Sequence, residues 1–111
     1  MIAAIKVQEL AEKLNSDRQE VQLIDVREPG EIAIAQIPHF SNLPLSQFAQ
    51  WSDRILELFN PELETIVLCH HGIRSAQMCQ WLSSQGFTNL KNVSGGIDAY
   101  SEIVDLSVPR Y

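Results

Sequence analysis

The chain has 111 residues, 45% of them hydrophobic, which sizes it for a single domain, 1–111, with a real core. Eight Lys and Arg stand against 14 Asp and Glu, a net charge of −6 with no basic cluster, which argues against nucleic-acid binding. No stretch is apolar for long enough to act as a signal peptide or to span a bilayer, and two cysteines make no disulfide framework, so the composition predicts a reduced, soluble, cytoplasmic protein.

Val7, Leu10, Ala11 and Leu14 recur at helical spacing and predict an amphipathic helix over 7–15, followed by a polar loop at 16–20. Residues 21–26 (VQLIDV) are apolar, partly β-branched and few, the marks of a strand. Pro29 suits the first turn of a helix that runs through Glu31 to Ala35, and Ile37-Pro38 ends it. A brief strand at 41–45 is confined by Pro44 to an edge or a terminus. From Ser46 a helical region carries Phe48, Trp51, Ile55, Leu58 and Phe59 as its apolar stripe, until Asn60-Pro61 closes it. Strand 65–68 (TIVL) leads into the loop CHHGIR. A helix over about 74–84 follows, with Met78, Trp81 and Leu82 on one face and Gly86 as its C-terminal cap. Residues 89–93 form a last strand, Gly95-Gly96 a turn, and 97–104 a final helix.

Strands alternating with helices predict an α/β domain with a mostly parallel sheet. Ligands of such sheets bind beyond the carboxyl ends of the strands. Cys69 stands at one such end, and Asp25 lies near another.

A cysteine closing an apolar strand has a bland reading as one more small hydrophobe. A core cysteine, however, has no need of two histidines, a glycine and an arginine directly after it. A thiol is a useful nucleophile only as thiolate, and the loop offers three agents that favour that form. Backbone N–H groups can curl around one anion, with Gly72 permitting the unusual backbone angles; the following helix adds its positive end; and Arg74 adds a full charge, supplemented by His70 and His71 when protonated. Zinc fits poorly, because Cys69, His70 and His71 are consecutive and His39 is the sole remaining histidine. Cys79 falls mid-helix on an apolar stripe and reads as core, too deep to pair with Cys69. His70 and His71 singly read as loop surface, and Asp25 as a carboxylate capping a turn. Spacing alone therefore points to thiol chemistry on a small anionic ligand.

The order of motifs is more specific. Asp25-Val26-Arg27, Ile37-Pro38 with Asn42-Leu43-Pro44-Leu45, the stretch Cys69-His70-His71-Gly72-Ile73-Arg74-Ser75, and Gly86-Phe87 with Gly95-Gly96-Ile97-Asp98-Ala99-Tyr100 resemble, in order, the motifs of single-domain rhodaneses. The resemblance implies a three-layer α/β fold and a sulfurtransferase without cofactor or metal, in which Cys69 becomes a persulfide. It implies that the loop from His70 through Gly72, Ile73 and Arg74 to Ser75 binds the transferred sulfur, that Arg74 attracts an anionic donor, and that Asp25 and Arg27 support the pocket, with Glu31 as partner of Arg27. Thiosulfate is the implied small donor; thioredoxin, a cysteine desulfurase or a sulfur-carrier protein are the implied protein partners, with no membrane and no nucleic acid.

The chain departs from the family at Ala35-Gln36, where Gly-His is usual, at His39-Phe40, and at Tyr100, where Trp is usual. Two rival readings share the fold. A non-catalytic rhodanese-like binding module would resemble the chain but usually lacks the cysteine. A phosphatase or arsenate reductase of the cell-cycle dual-specificity type has one more residue between Cys and Arg, a wider ring suited to a tetrahedral oxyanion. Here four residues separate Cys69 from Arg74, a tighter ring matched to a single sulfur.

Overall fold

The computed structural model describes residues 2–16 and 20–111, so most of the predicted loop at 16–20 lies outside the described residues. Five strands, all parallel, lie in the order β1-β5-β4-β2-β3: β1 Ile2–Ile5, β2 Val21–Asp25, β3 Ser41–Asn42, β4 Glu64–Leu68 and β5 Leu90–Val93. The helices are α1 Val7–Leu14, α2 Pro29–Ile34, the single turns α3 Phe48–Trp51 and α4 Ile55–Leu58, α5 Ile73–Ser84 and α6 Gly96–Ile103.

Both faces of the sheet are covered, so the inner strands bury consecutive apolar residues, Leu23-Ile24 in β2 and Ile66–Leu68 in β4. Alternation sorts their side chains between two cores. Ile24, Val67 and Leu90 pack with Met78, Cys79 and Leu82 of α5 and with Trp51 and Ile55. Leu23, Ile66 and Leu68 face the other way, onto Val7 and Leu10 of α1 and Ile97 and Tyr100 of α6. Each such aliphatic side chain contributes about 1.5–3 kcal/mol through burial.

Strand β1 was not foreseen. Its two alanines have little strand propensity and only Ile5 is buried, so nothing periodic marks it. Register with β5, from Ile2↔Leu90 to Ile5↔Val93, places it at the sheet edge. The helix expected from Ser46 is instead a chain of one-turn pieces: a 3₁₀ turn at Leu45–Gln47 leads into α3, and another at Ser52–Arg54 joins α3 to α4. Trp51 is drawn back by its indole N–H, which donates to the Pro44 carbonyl at 2.9 Å, and the tighter turns accommodate that anchor. Of the expected stripe, Trp51 and Ile55 are buried while Phe48 and Leu58 are exposed. The predicted strand 41–45 shrinks to two residues: the Leu43 N–H still donates to the Asp25 carbonyl (2.9 Å), but Pro44 has no N–H to pair.

Connections from β2 and β4 leave toward opposite faces. The chain after α2 buries Ala35 and Ile37 in the second core, whereas α5 covers the first. A crevice therefore opens at the carboxyl ends of β2 and β4, the place where parallel α/β sheets hold ligands. Asp25 and Leu68 are register partners there, and Cys69 is the next residue.

Candidate active site

Cys69 continues the alternation of β4, so its side chain turns into the core shared with Val67 and is 1% exposed. The loop after it is held from behind. The first N–H groups of α6 have no intrahelical acceptor, and they donate to the loop: Ile97 to the Cys69 carbonyl at 2.9 Å and Asp98 to the His70 carbonyl at 3.1 Å. This contact needs glycine at 96. A Cβ there would lie 2.4 Å from both carbonyl oxygens. With its carbonyls turned outward, the loop presents donors inward.

Gly72, at φ 102°, turns the chain back so that its own N–H donates to Cys69 Sγ at 3.0 Å. The next N–H groups open α5 without a side-chain cap. Ser75, fully buried, places its hydroxyl 3.2 Å from Sγ and also bonds Asn92 Oδ1. Asn92 is oriented by its amide N–H, which donates to the Gly72 carbonyl at 3.0 Å, so its oxygen must face Ser75. The serine hydroxyl thus has two acceptors in reach, the amide oxygen and the sulfur. Rotation lets it accept from a thiol or donate to a thiolate.

Cys69, His70, His71, Ile73 and Arg74 line a pocket of about 270 Å³ above this floor. Gly72 and Ser75 touch the sulfur from beneath. Arg74 does not stand free to meet an anion. Its guanidinium grips both carboxylate oxygens of Glu31, at 2.8 and 2.9 Å, across the crevice from α5 to α2. Arg27 reaches Glu31 only at its main-chain carbonyl, so the partnership expected between the two does not engage the carboxylate. The fork of Arg74 holds the Glu31 carboxyl down to about 2, against an ordinary 4.5, with help from the Glu28 N–H and the Tyr111 hydroxyl.

Asp25 and Arg27 lie behind the pocket rather than on it. Arg27 is fully buried, and Nε and Nη2 bond the Asp25 carboxylate at 2.8–3.2 Å. Its Nη1 donates to the Tyr111 hydroxyl at 2.9 Å and to the main-chain carbonyl of Glu31 at 3.4 Å. The Tyr111 hydroxyl in turn donates to Glu31 Oε1 at 3.0 Å. The Tyr111 ring lies 3.9 Å from His70 and nearly parallel to it, and His71 stacks on the other face of this group at 3.9 Å from His70. Burial, then the neighbouring His71, lowers the basicity of His70.

Sequence reasoning missed Asn92, Tyr111 and the destination of the Glu31 carboxylate. Asn92 had a faint signal as a polar residue inside a buried strand. Tyr111 had none. Cys79 is a free thiol in the core, pushed up to about 12 by burial and, less, by Cys69. Among the described residues no three His, Cys, Asp or Glu side chains converge as a metal site requires. No helix among them is long and apolar enough to cross a membrane.

Residues 6–103 match the Rhodanese-like domain family. The chain is 50% identical over 109 residues to the rhodanese-like/PpiC domain-containing protein 12, chloroplastic, of Arabidopsis thaliana; it is covered to 96% and spans 36% of that relative. It is 32% identical to a sulfurtransferase of Allochromatium vinosum, covering 91% of the chain and 90% of the relative. A domain 33% identical to it, covering 96% of this chain, makes up 25% of the adenylyltransferase and sulfurtransferase UBA4 of Lodderomyces elongisporus. Among solved structures, the rhodanese-like domain protein of Staphylococcus aureus is similar with a TM-score of 0.75 and 31% identity, over 88% of this chain and 90% of that one. A family match over nearly the whole chain, with a sulfurtransferase relative of the same span, places this chain in the rhodanese-like domain family.

Proposed function

We propose that the chain transfers a sulfane sulfur through a persulfide on Cys69. The observation that carries the reading is the buried Sγ held by the Gly72 N–H at 3.0 Å and the Ser75 hydroxyl at 3.2 Å, in a loop with four residues between Cys69 and Arg74. One sulfur atom fits such a ring, and the donors favour a charge on it. With thiosulfate, the Cys69 thiolate attacks the outer sulfur, the S–S bond of the donor breaks, and its electron pair leaves on sulfite. Cys69 then carries S–S⁻. A thiophilic acceptor such as cyanide takes the outer sulfur as thiocyanate and regenerates the thiolate. His70, His71 and Ile73 form the walls of the pocket, and Asp25 and Arg27 hold its rear.

A protein acceptor, such as a sulfur-carrier protein or thioredoxin, and a cysteine desulfurase as protein donor fit the same chemistry. A matching domain within a relative named both adenylyltransferase and sulfurtransferase supports a carrier as acceptor. The reading carries with it a single domain working in a reducing, cytoplasmic setting, where both thiols stay free. Hydrolysis of a phosphate ester would need a guanidinium for its oxygens, and Arg74 is engaged by Glu31.

The test is intact mass after incubation with thiosulfate. A gain of one sulfur atom, discharged by cyanide, is expected; Cys69→Ser should show none and Cys79→Ala should load like the parent. Loading that survives Cys69→Ser and vanishes in Cys79→Ala would name the wrong nucleophile.

A further inference from the structure

The charges around the pocket cancel in pairs. Arg74 meets Glu31 through both oxygens. Arg27 is buried against Asp25 and faces away from the pocket. Asp98, which lies 3.9 Å from His71, is matched by a two-point contact with Arg110 at 3.1 and 3.2 Å. Among the described residues, the pocket mouth thus has no uncompensated cation, on a chain of net charge −6. What the mouth does offer is apolar: Ile73 opens α5 there and is 71% exposed, beside the ring of His70 backed by Tyr111. A small dianion would meet no unpaired side-chain cation at the mouth, only the donors at the loop floor, with the field of the whole chain against it. A sulfur attached to an uncharged group would lose nothing electrostatically and would gain contact with Ile73.

We propose that Glu31 is a specificity-determining residue, which by neutralising Arg74 turns the site toward sulfane sulfur carried on an uncharged organic or protein group and away from small dianionic donors. The inference rests on the sulfur-transfer reading above and deepens it. For a persulfide donor R–S–SH, the Cys69 thiolate attacks the outer sulfur and the donor S–S bond breaks. The electron pair leaves on R–S⁻, and the outer sulfur keeps its proton as Cys69 S–SH. For a thiosulfonate R–SO₂–S⁻ the same attack releases the sulfinate R–SO₂⁻ and leaves Cys69 S–S⁻.

Methanethiosulfonate and thiosulfate make a matched pair of probes, since a methyl group replaces one charged oxygen. The measured quantity is the ratio of their kcat/KM values, which cancels changes common to both. Glu31→Gln should shift that ratio toward thiosulfate by about fivefold at low salt, the effect of one unit charge a few ångströms from the extra charge of the dianion. The shift should shrink at high salt, where screening is short-ranged. Glu31→Asp, which keeps the charge, should leave the ratio near that of the parent. In the unmodified protein, kcat/KM for thiosulfate should stay flat or rise with ionic strength. A steep fall with salt would reveal a free cation at the mouth and overturn the proposal without any variant. An unmoved ratio in Glu31→Gln, with both donors loading sulfur, would overturn this inference alone. Failure of both donors to load Cys69 would remove the sulfur-transfer reading, and the inference with it.

Discussion

Two carboxylate–guanidinium pairs flank the same crevice and do different work. Asp25 and Arg27 are 3% and 0% exposed, while Glu31 and Arg74 are 21% and 36% exposed. The inner pair joins residues two apart at the end of β2, and its guanidinium has every nitrogen occupied by Asp25, Tyr111 or the Glu31 carbonyl. Asn42 seals it from the edge by donating to the Asp25 and Arg27 carbonyls at 2.9 and 2.8 Å. The outer pair joins two helices across the crevice and borders the pocket. A buried pair is costly to break because its survivor stays charged and out of water. A rim pair costs little to break because water takes over each partner, yet it sets the field a ligand meets. Identical chemistry thus serves as scaffold in one place and as an electrostatic setting in the other. The Tyr111 hydroxyl hydrogen-bonds a member of each pair, Arg27 and Glu31.

The comparison breaks if the inner pair proves dispensable. Asp25→Asn keeps the shape and leaves Arg27 with an uncompensated buried charge, so urea unfolding should show a loss of about 3–5 kcal/mol. That is a large share of the ~5–15 kcal/mol typical of a folded domain. A loss below about 1 kcal/mol would place Arg27 in contact with water.

Tyr111→Phe tests the link between the pairs. It removes one hydroxyl that accepts from Arg27 and donates to Glu31, and it keeps the ring over His70. The expected loss in urea unfolding is about 1 kcal/mol, the ordinary worth of such a bond. Stability equal to the parent would mean that the inner and outer pairs hold without the bridge.

The smallest effect sharpens the comparison through pH. Glu31 is held to about 2 in the folded chain, below its ordinary 4.5. A depressed carboxyl stabilises the fold fully above its unfolded value and loses that contribution as pH falls toward the folded value. The melting temperatures of the parent and of Glu31→Gln should therefore differ at pH 6 and converge as pH drops from 4.5 toward 2. A difference that persists unchanged to pH 2 would show that Glu31 acts through its shape and not its charge.

Much of this was legible in one dimension because the signals are local. The short stretches at 21–26 and 65–68 name two inner strands, since adjacent β-branched and aliphatic residues, Leu23-Ile24 and Ile66–Leu68, are what a strand covered on both faces needs. The helix after the loop begins at Ile73, one residue before the expected start, and its cap forms at Gly86, where Phe87 and Gly86 donate to the Leu82 and Ser83 carbonyls. The count from Cys69 to Arg74 likewise sets the size of the loop whatever surrounds it. Strand β1 escaped because an edge strand buries one residue in four and leaves no pattern. What only the tertiary structure decided are the partners. Arg74 finds Glu31 at 43 residues' separation, and Tyr111 reaches Glu31 across 80. A charged side chain near a strand end has several opposite charges within reach of its sequence neighbourhood. Which one it meets depends on how α2 and α5 face each other over the sheet, and no local preference of either segment encodes that angle.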